Sequence, residues 1–335
     1  MTEDILEVRD LRVWYATAGP PVQSVDGVSF SLEPGEVLGL VGESGCGKST
    51  LGRGILGLLP RGAAVDGELI FAGSRLLELP PKERAKLRGG DMGLIFQEPM
   101  TRLDPLMRIS DHFDEAIKAH EPKLSKAERR ERALEALRAL GIPPTRYKTY
   151  PHEFSGGMRQ RIMIALALAL RPQFIVADEP TTALDVLVEA QILQLLARIR
   201  EQFQPAILLI THNLGIVAEA CDQVAVMYAG RIVEQGPVRE IFADPQHPYT
   251  QELLRSTISL KTRELHSIPG APPDLSNPPR GCRFNPRCPH AMRICAEQSP
   301  PTLGTHLTEC WLLDRPIGDA GAPLDRREVA LADEA

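Results

Sequence analysis

Short apolar stretches alternate with turn signals over residues 5–41. The stretches are "LEVRDLRVWY", "VSFSL" and "EVLGLVG", and turn sequences such as "EPGE" lie between them. Short runs of this kind, bounded by Gly and Pro, are typical of β-strands. The pattern therefore predicts several short strands, the last of which ends at a glycine-rich loop.

A helical pattern replaces the strand pattern between about residues 105 and 171. Apolar positions recur at helical spacing in "ISDHFDEAIKAH" and "SKAERRERALEALRAL". Ser125 and Glu128 stand three residues apart at the start of the second stretch, which predicts a capping box. We expect a helical subdomain inserted into an α/β region.

Strand and helix alternate again from residue 173. The order is "FIVAD", the amphipathic "VLVEAQILQLLARIREQ", "AILLITH" and "QVAVMYAG". This βαβ alternation predicts a mostly parallel sheet covered by helices. Prolines accumulate after residue 256. We therefore divide the chain into an α/β unit over 1–256, an irregular accessory segment over 257–313 and a disordered tail over 314–335.

Composition narrows the class of protein. Of the 335 residues 43% are hydrophobic, which is enough for a sizeable core. The longest aliphatic run, residues 162–170, is shorter than the roughly 20 residues that span a bilayer. The first residues carry acids where a signal peptide carries bases. We expect a cytoplasmic chain, and its net charge of −6 argues against a nucleic-acid partner.

A phosphate-binding motif follows the third predicted strand. Residues 42–49, "GESGCGKS", match the P-loop pattern between an apolar strand and a predicted helix. Glycines let successive backbone amides turn toward the β-phosphate, and the helix N-terminus adds a favourable dipole. Lys48 would reach the β- and γ-phosphates, and Ser49 would bind Mg²⁺. The expected nucleotide-binding residues here are Gly42, Ser44, Gly45, Cys46, Gly47, Lys48, Ser49 and Thr50.

Two acidic residues follow the strand "FIVAD". Asp178 would hold Mg²⁺ through water at the carboxyl edge of the sheet. Glu179, not tied up by the metal, could act as the general base that polarises the attacking water. His212, at the end of "AILLITH", could donate a hydrogen bond to the γ-phosphate.

A second anion-binding pattern occurs in "FSGGMRQR", residues 154–161. A Ser N-cap and two glycines open a helix there and offer further free amides, which one nucleotide cannot easily use together with the P-loop. At this point the sequence resembles the ATP-binding subunits of ABC transporters, whose signature motif is a Ser-Gly-Gly loop. Gln97 in "LIFQEP", "TTALD" ending at Asp185, and His212 follow the order of that family over residues 5 to about 245.

The resemblance implies an α/β fold. We expect the P-loop NTPase cassette of ABC proteins, with a mostly parallel sheet, N-terminal antiparallel strands, a helical subdomain and a cysteine-containing C-terminal extension. It also implies that two cassettes sandwich two ATP molecules with Mg²⁺. Each ATP would be held by the P-loop of one cassette and by Ser155, Gly156 and Gly157 of the other.

The same resemblance assigns further site residues. Gln97 would bind the metal and join it to the loop that meets the membrane subunit, and Asp185 would belong to the nucleotide-binding set. Tyr15 would stack on adenine, with the neighbouring Trp14 as the alternative.

A narrower resemblance lies outside the cassette. "HPYTQELL" at 247–254, "PRGCRFNPRCPHA" and Cys310 resemble the C-terminal region of dipeptide and oligopeptide importer ATPases. This implies ATP-driven peptide import at the cytoplasmic face of the membrane. The implied partners are a second ATPase subunit in a heterodimer, two permeases and an extracytoplasmic binding protein.

Three alternatives to peptide import stay open. The same branch includes importers of nickel, glutathione and oligosaccharides. A soluble ABC ATPase not coupled to transport is a different class, although such proteins tend to carry two cassettes or a long coiled-coil insert. The cysteine segment could also be the active part, as a redox or metal sensor.

Four cysteines stand in the accessory segment. Cys282, Cys288, Cys295 and Cys310 are separated by five, six and fourteen residues. A reducing cytoplasm disfavours disulfides, and a Pro-rich segment offers little core for buried thiols, so metal ligation is favoured. The spacing matches neither zinc knuckles nor ferredoxins, and both metals stay open on chemistry alone. The family resemblance, which includes members with a 4Fe-4S cluster on such cysteines, favours a structural iron-sulfur cluster over zinc.

Overall fold

A computed structural model of the chain describes residues 4–95, 103–180, 196–256 and 267–314. Its strands are β1 (Leu6–Tyr15), β2 (Val22–Leu32), β3 (Val37–Val41), β4 (Ala63–Phe71), β5 (Ser74–Arg75), β6 (Met92–Ile95), β7 (Phe174–Asp178), β8 (Ala206–Ile210), β9 (Gln223–Tyr228), β10 (Arg231–Pro237), β11 (Thr302–Leu303) and β12 (Thr308–Glu309). Its labelled helices are α1 (Lys48–Ile55), α2 (Pro81–Leu87), α3 (Ile109–His120), α4 (Lys126–Ala139), α5 (Gly156–Leu168), α6 (Leu214–Ala220), α7 (Val238–Ala243), α8 (Pro248–Arg255) and α9 (Arg293–Glu297).

The central sheet has the strand order β10-β9-β3-β8-β7-β6, and only β10 runs antiparallel to its neighbour. Strands β3, β7 and β8 are buried along their whole length, as expected for parallel strands covered on both faces. A second, antiparallel sheet has the order β2-β1-β4-β5. The predicted combination of a mostly parallel sheet with N-terminal antiparallel strands is confirmed.

Helices α3, α4 and α5 lie between β6 and β7 in the chain, in the region predicted to be helical. The backbone N–H of Ser125 donates to the Glu128 carboxylate at 2.7 Å, and the Glu128 N–H donates to Ser125 Oγ at 3.3 Å. This is the predicted capping box. Phe113, Leu137 and Ile162, one from each helix, share one buried hydrophobic cluster.

The order of the central sheet positions the site. Strands β3 and β7 both pair with β8, so their carboxyl ends lie one strand apart at the same edge. The P-loop follows β3, and Glu179 follows β7. Ligands of open parallel sheets bind outside this edge. Most of the helix predicted for "VLVEAQILQLLARIREQ" lies outside the described residues, but residues 196–203 are helical.

The accessory segment packs on the cassette. Phe284 is buried, and its ring centroid lies 5.1 Å from that of Tyr228 on β9 and 5.4 Å from that of Tyr249 on α8. Our expectation that this segment has little core was wrong, because its apolar residues share a hydrophobic cluster with residues of the cassette.

Over the ranges that the structure describes, no helix is both long and apolar enough to cross a bilayer.

Candidate ATP-binding and hydrolysis site

The P-loop adopts a conformation that requires glycine. Gly45 and Gly47 have φ of 81° and 111°, in the left-handed region that side chains disfavour. A Cβ on Gly47 would lie 2.0 Å from the carbonyl oxygen of Ser24, and one on Gly42 would lie 2.1 Å from that of Met227. The loop is therefore pressed against β2 and β9, with no space for side chains at these two positions.

Lys48, at the first position of α1, directs its ammonium group into the loop. Its Nζ donates to the carbonyl oxygens of Gly42 at 2.7 Å and Glu43 at 3.0 Å, and the residue is buried. A cation held by the carbonyl oxygens of the phosphate loop lies where it can meet a nucleotide phosphate.

Ser49 and Asp178 meet at the sheet edge, as the sequence predicts for a shared magnesium ion. Ser49 Oγ donates to Asp178 Oδ1 at 2.8 Å. Burial raises the pKa of Asp178, and the hydrogen bond from Ser49 opposes that rise. Hard oxygen donors of this kind are what Mg²⁺ prefers, so the two side chains fit the ion chemically.

Glu179 is fixed at the start of the turn that follows β7. Its backbone N–H donates to the Ile210 carbonyl oxygen at 2.9 Å, and its φ of 51° is unusual for a residue with a side chain. Its Oε2 lies 2.7 Å from His212 Nδ1. The structure thus brings the predicted base and the predicted histidine together. The contact of His212 with the γ-phosphate stays a prediction.

Helix α5 presents the Ser-Gly-Gly loop. Ser155 is its N-cap and accepts a hydrogen bond from the Met158 N–H at 3.4 Å. Among the residues that the structure describes, a Cβ on Gly156 would meet no atom within 4 Å, so this helix end is open toward them. Sequence reasoning missed Gln160, whose Nε2 donates to the Pro180 carbonyl oxygen at 2.7 Å and ties α5 to the turn after Glu179. No local signal identifies this buried glutamine.

The aromatic candidates lie at the end of β1. Tyr15 is half-buried, and its Oη lies 3.5 Å from Thr50 Oγ1 on α1, beside the P-loop. The Nε1 of Trp14 is buried and has no hydrogen-bond partner within the described ranges. Tyr15 is thus the better placed of the two to reach a base bound over α1. Gln97 and Asp185 lie outside the described residues.

The four cysteines line one small cavity, together with His247 and Phe284 among others. Burial raises the pKa of Cys282 and Cys288 to about 12 and that of Cys310 to about 11, and it also raises the pKa of Cys295. In the part of the chain that the structure describes, no three His, Cys, Asp or Glu side chains are grouped to hold a metal ion. All four thiols line one cavity, which suits a soft metal, but within the described residues they are not grouped closely enough to hold a single metal ion.

Comparisons with known proteins agree with this site. Residues 25–182 match the family described as "ABC transporter", and residues 233–295 match "Oligopeptide/dipeptide transporter, C-terminal region". The chain is 49% identical to the oligopeptide transport ATP-binding protein OppD of Bacillus subtilis, over 92% of this chain and 89% of that protein. It is 47% identical to the dipeptide transport ATP-binding protein DppD of the same organism, over 93% and 96%.

A solved structure is similar as well. The dimeric post-hydrolysis state of the ATP-binding cassette MJ0796, bound to ADP and Pi, superposes with a TM-score of 0.62 at 27% identity. The match covers 70% of this chain and 99% of that cassette.

Proposed function

Because the chain belongs to the ATP-binding subunits of ABC transporters, we propose that it hydrolyses ATP to power the import of dipeptides or oligopeptides. The proposal of ATP hydrolysis rests on two contacts beside the P-loop at one sheet edge. Ser49 pairs with Asp178, and Glu179 pairs with His212. The proposal that the cargo is a peptide rests on the C-terminal match over residues 233–295. We place the protein at the cytoplasmic face of the membrane.

Each residue of the site has a distinct proposed role. Lys48 would bind the β- and γ-phosphates, and Ser49 and Asp178 would hold Mg²⁺, which neutralises phosphate charge when bound. Glu179 would accept the proton of the attacking water. His212 would orient the Glu179 carboxylate through its Nδ1, because the two groups are 2.7 Å apart. Tyr15 would stack on adenine, and the roles of Gln97 and Asp185 remain as the resemblance implies.

The open end of α5 supports a dimeric site. Ser155, Gly156 and Gly157 would close on the ATP bound to the P-loop of a second ATPase subunit. We propose a heterodimer that works with two permeases and an extracytoplasmic binding protein, since the relatives are named as transport proteins.

We propose further that the accessory segment, 257–313, binds a structural 4Fe-4S cluster through Cys282, Cys288, Cys295 and Cys310. The convergence of all four thiols on one cavity supports this. The four thiolates would hold the cluster and order the segment, and unlike zinc ligands they would not have to close around a single ion. Anaerobic purification should give a brown protein with broad absorption near 400 nm and about four irons per chain. A colourless anaerobic preparation with one stoichiometric zinc would contradict the cluster.

Reconstitution tests the function as a whole. The chain should co-purify with permeases and a second ATPase, and proteoliposomes of that complex should take up peptide when ATP and the binding protein are supplied. A Glu179→Gln complex is the matched inactive control. Uptake of nickel, glutathione or an oligosaccharide in place of peptide would refute the cargo, and ATP hydrolysis by the reconstituted complex with no uptake of any solute would refute the transport role.

A further inference from the structure

Glu43, the second residue of the P-loop, has three anchors. Its backbone N–H donates to Tyr249 Oη at 2.9 Å, and its carbonyl oxygen accepts from Lys48 Nζ at 3.0 Å. Its carboxylate accepts two parallel hydrogen bonds from Arg287, at 2.6 Å from Nη1 and 3.0 Å from Nη2. This residue therefore joins the phosphate-binding lysine to a residue 244 positions further along the chain.

Arg287 comes from the accessory segment and is held rigidly. Its Nε donates to the Pro269 carbonyl oxygen at 2.8 Å, and Nη2 donates to that of Ile268 at 3.3 Å. Its Nη1 donates to Tyr228 Oη at 3.3 Å, and its guanidinium lies 5.8 Å from the centre of the Tyr228 ring. With the two bonds to Glu43, every N–H of the guanidinium has an acceptor.

Burial makes this ion pair different from one on the surface. Only 4% of the Arg287 side chain is exposed, against 25% of that of Glu43. The hydrogen bond with Glu43 is the main cause that raises the pKa of Arg287. A bidentate pair in such a site fixes the carboxylate in position as well as direction.

A second arginine of the same segment binds residues that lie next to the loop. Arg283 donates to the carbonyl oxygen of Ala229 and to Asp26 Oδ2, the latter at 2.6 Å. The neighbouring Gly230 N–H donates to the carbonyl oxygen of Cys46, a P-loop residue, at 2.8 Å. Arg287 thus contacts the P-loop directly through Glu43, and Arg283 supports it indirectly through the backbone next to Gly230.

We propose that Arg287 is a positioning residue for ATP binding, which holds the P-loop and, through the Glu43 carbonyl oxygen, the ammonium of Lys48. The inference rests on the ATPase activity proposed above. It makes the accessory segment part of the nucleotide site, although no residue of that segment needs to touch ATP. Loss of the pair leaves Glu43 with only its two backbone hydrogen bonds, to Tyr249 and Lys48, and lets the loop sample conformations that do not receive phosphate.

Arg287→Gln in the complete transporter tests this. We expect the Kd for a fluorescent ATP analogue and the KM for ATP to rise about tenfold, within the usual range of coupling between sites, while kcat stays within about twofold. Arg293→Gln is the matched control, since that arginine belongs to the same segment but its side chain is 84% exposed. It should leave both constants unchanged.

Replacing Glu43, the other member of the ion pair, distinguishes a positioning role of Arg287 from a role in folding. Glu43→Ala removes the pair without emptying the arginine pocket, and it should raise the Kd as Arg287→Gln does, with no added effect in the double variant. An unchanged Kd in a folded Arg287→Gln protein would overturn the proposal. If that variant does not fold, an unchanged Kd in Glu43→Ala overturns it equally. A wild-type complex that binds ATP without hydrolysing it would instead refute the proposed function.

Discussion

The replacement Glu179→Gln isolates the proton-accepting role that we propose for this side chain. Glutamine keeps the length of the side chain, and its amide oxygen can still accept from His212 Nδ1, which lies 2.7 Å from the carboxylate. The Glu179 side chain is only 13% exposed, but glutamine has nearly the same shape and volume, so the exchange opens no cavity. The hydrolysis rate should fall by about 10² to 10⁴, the usual contribution of a general base, which is about 2.7 to 5.5 kcal/mol of activation free energy.

The assay is phosphate release by the assembled transporter, run beside equilibrium binding of ATP. Binding should persist, and the variant should accumulate as a closed dimer that size-exclusion chromatography detects. Glu78→Gln is a suitable control, because that side chain is 68% exposed and pairs with Arg75 on the surface. Turnover near the wild-type rate in a preparation free of other ATPases would show that Glu179 is not the base.

Three further replacements test other parts of the chain. Lys48→Ala should weaken ATP binding by about 1.5 to 3 kcal/mol, as expected for a lost charged hydrogen bond, and equal affinity in a filter assay would contradict its phosphate contact. Tyr15→Ala should cost about 1 to 3 kcal/mol of ATP binding if the ring stacks on adenine, and a larger effect of Trp14→Ala would select the other aromatic residue. Ser125→Ala should lower the free energy of unfolding by about 0.5 to 2 kcal/mol in chemical denaturation, while Ser125→Asp restores it and ATP affinity does not change.

The sequence could predict features that depend on short motifs and on the order of the strands. The capping box of Ser125 and Glu128 involves residues three apart, and the P-loop is a strand, a loop and a helix in direct succession, so both patterns are complete within a few positions. The approach of Ser49 to Asp178 also followed, because two parallel strands deliver these residues to one sheet edge.

Long-range pairs are the part that the sequence could not predict. Glu43 occupies a P-loop position that accepts many residues, and nothing local distinguishes Arg287 from its neighbour Arg283. Their bond depends on how the accessory segment packs against Tyr228 and Tyr249, which is a property of the tertiary structure. The same packing explains why Cys282 and Cys288 are partly buried where a Pro-rich composition predicted little core.

The backbone of Glu179 carries a consequence for protein engineering. A non-glycine residue in the left-handed region, here at φ 51°, costs on the order of 1 to 3 kcal/mol, and glycine would relieve that strain. The position of the proposed catalytic base is therefore one where folding favours a residue without a side chain. Selection of variants for heat resistance alone would draw position 179 toward glycine and away from catalysis, so a thermostable transporter must gain its stability elsewhere.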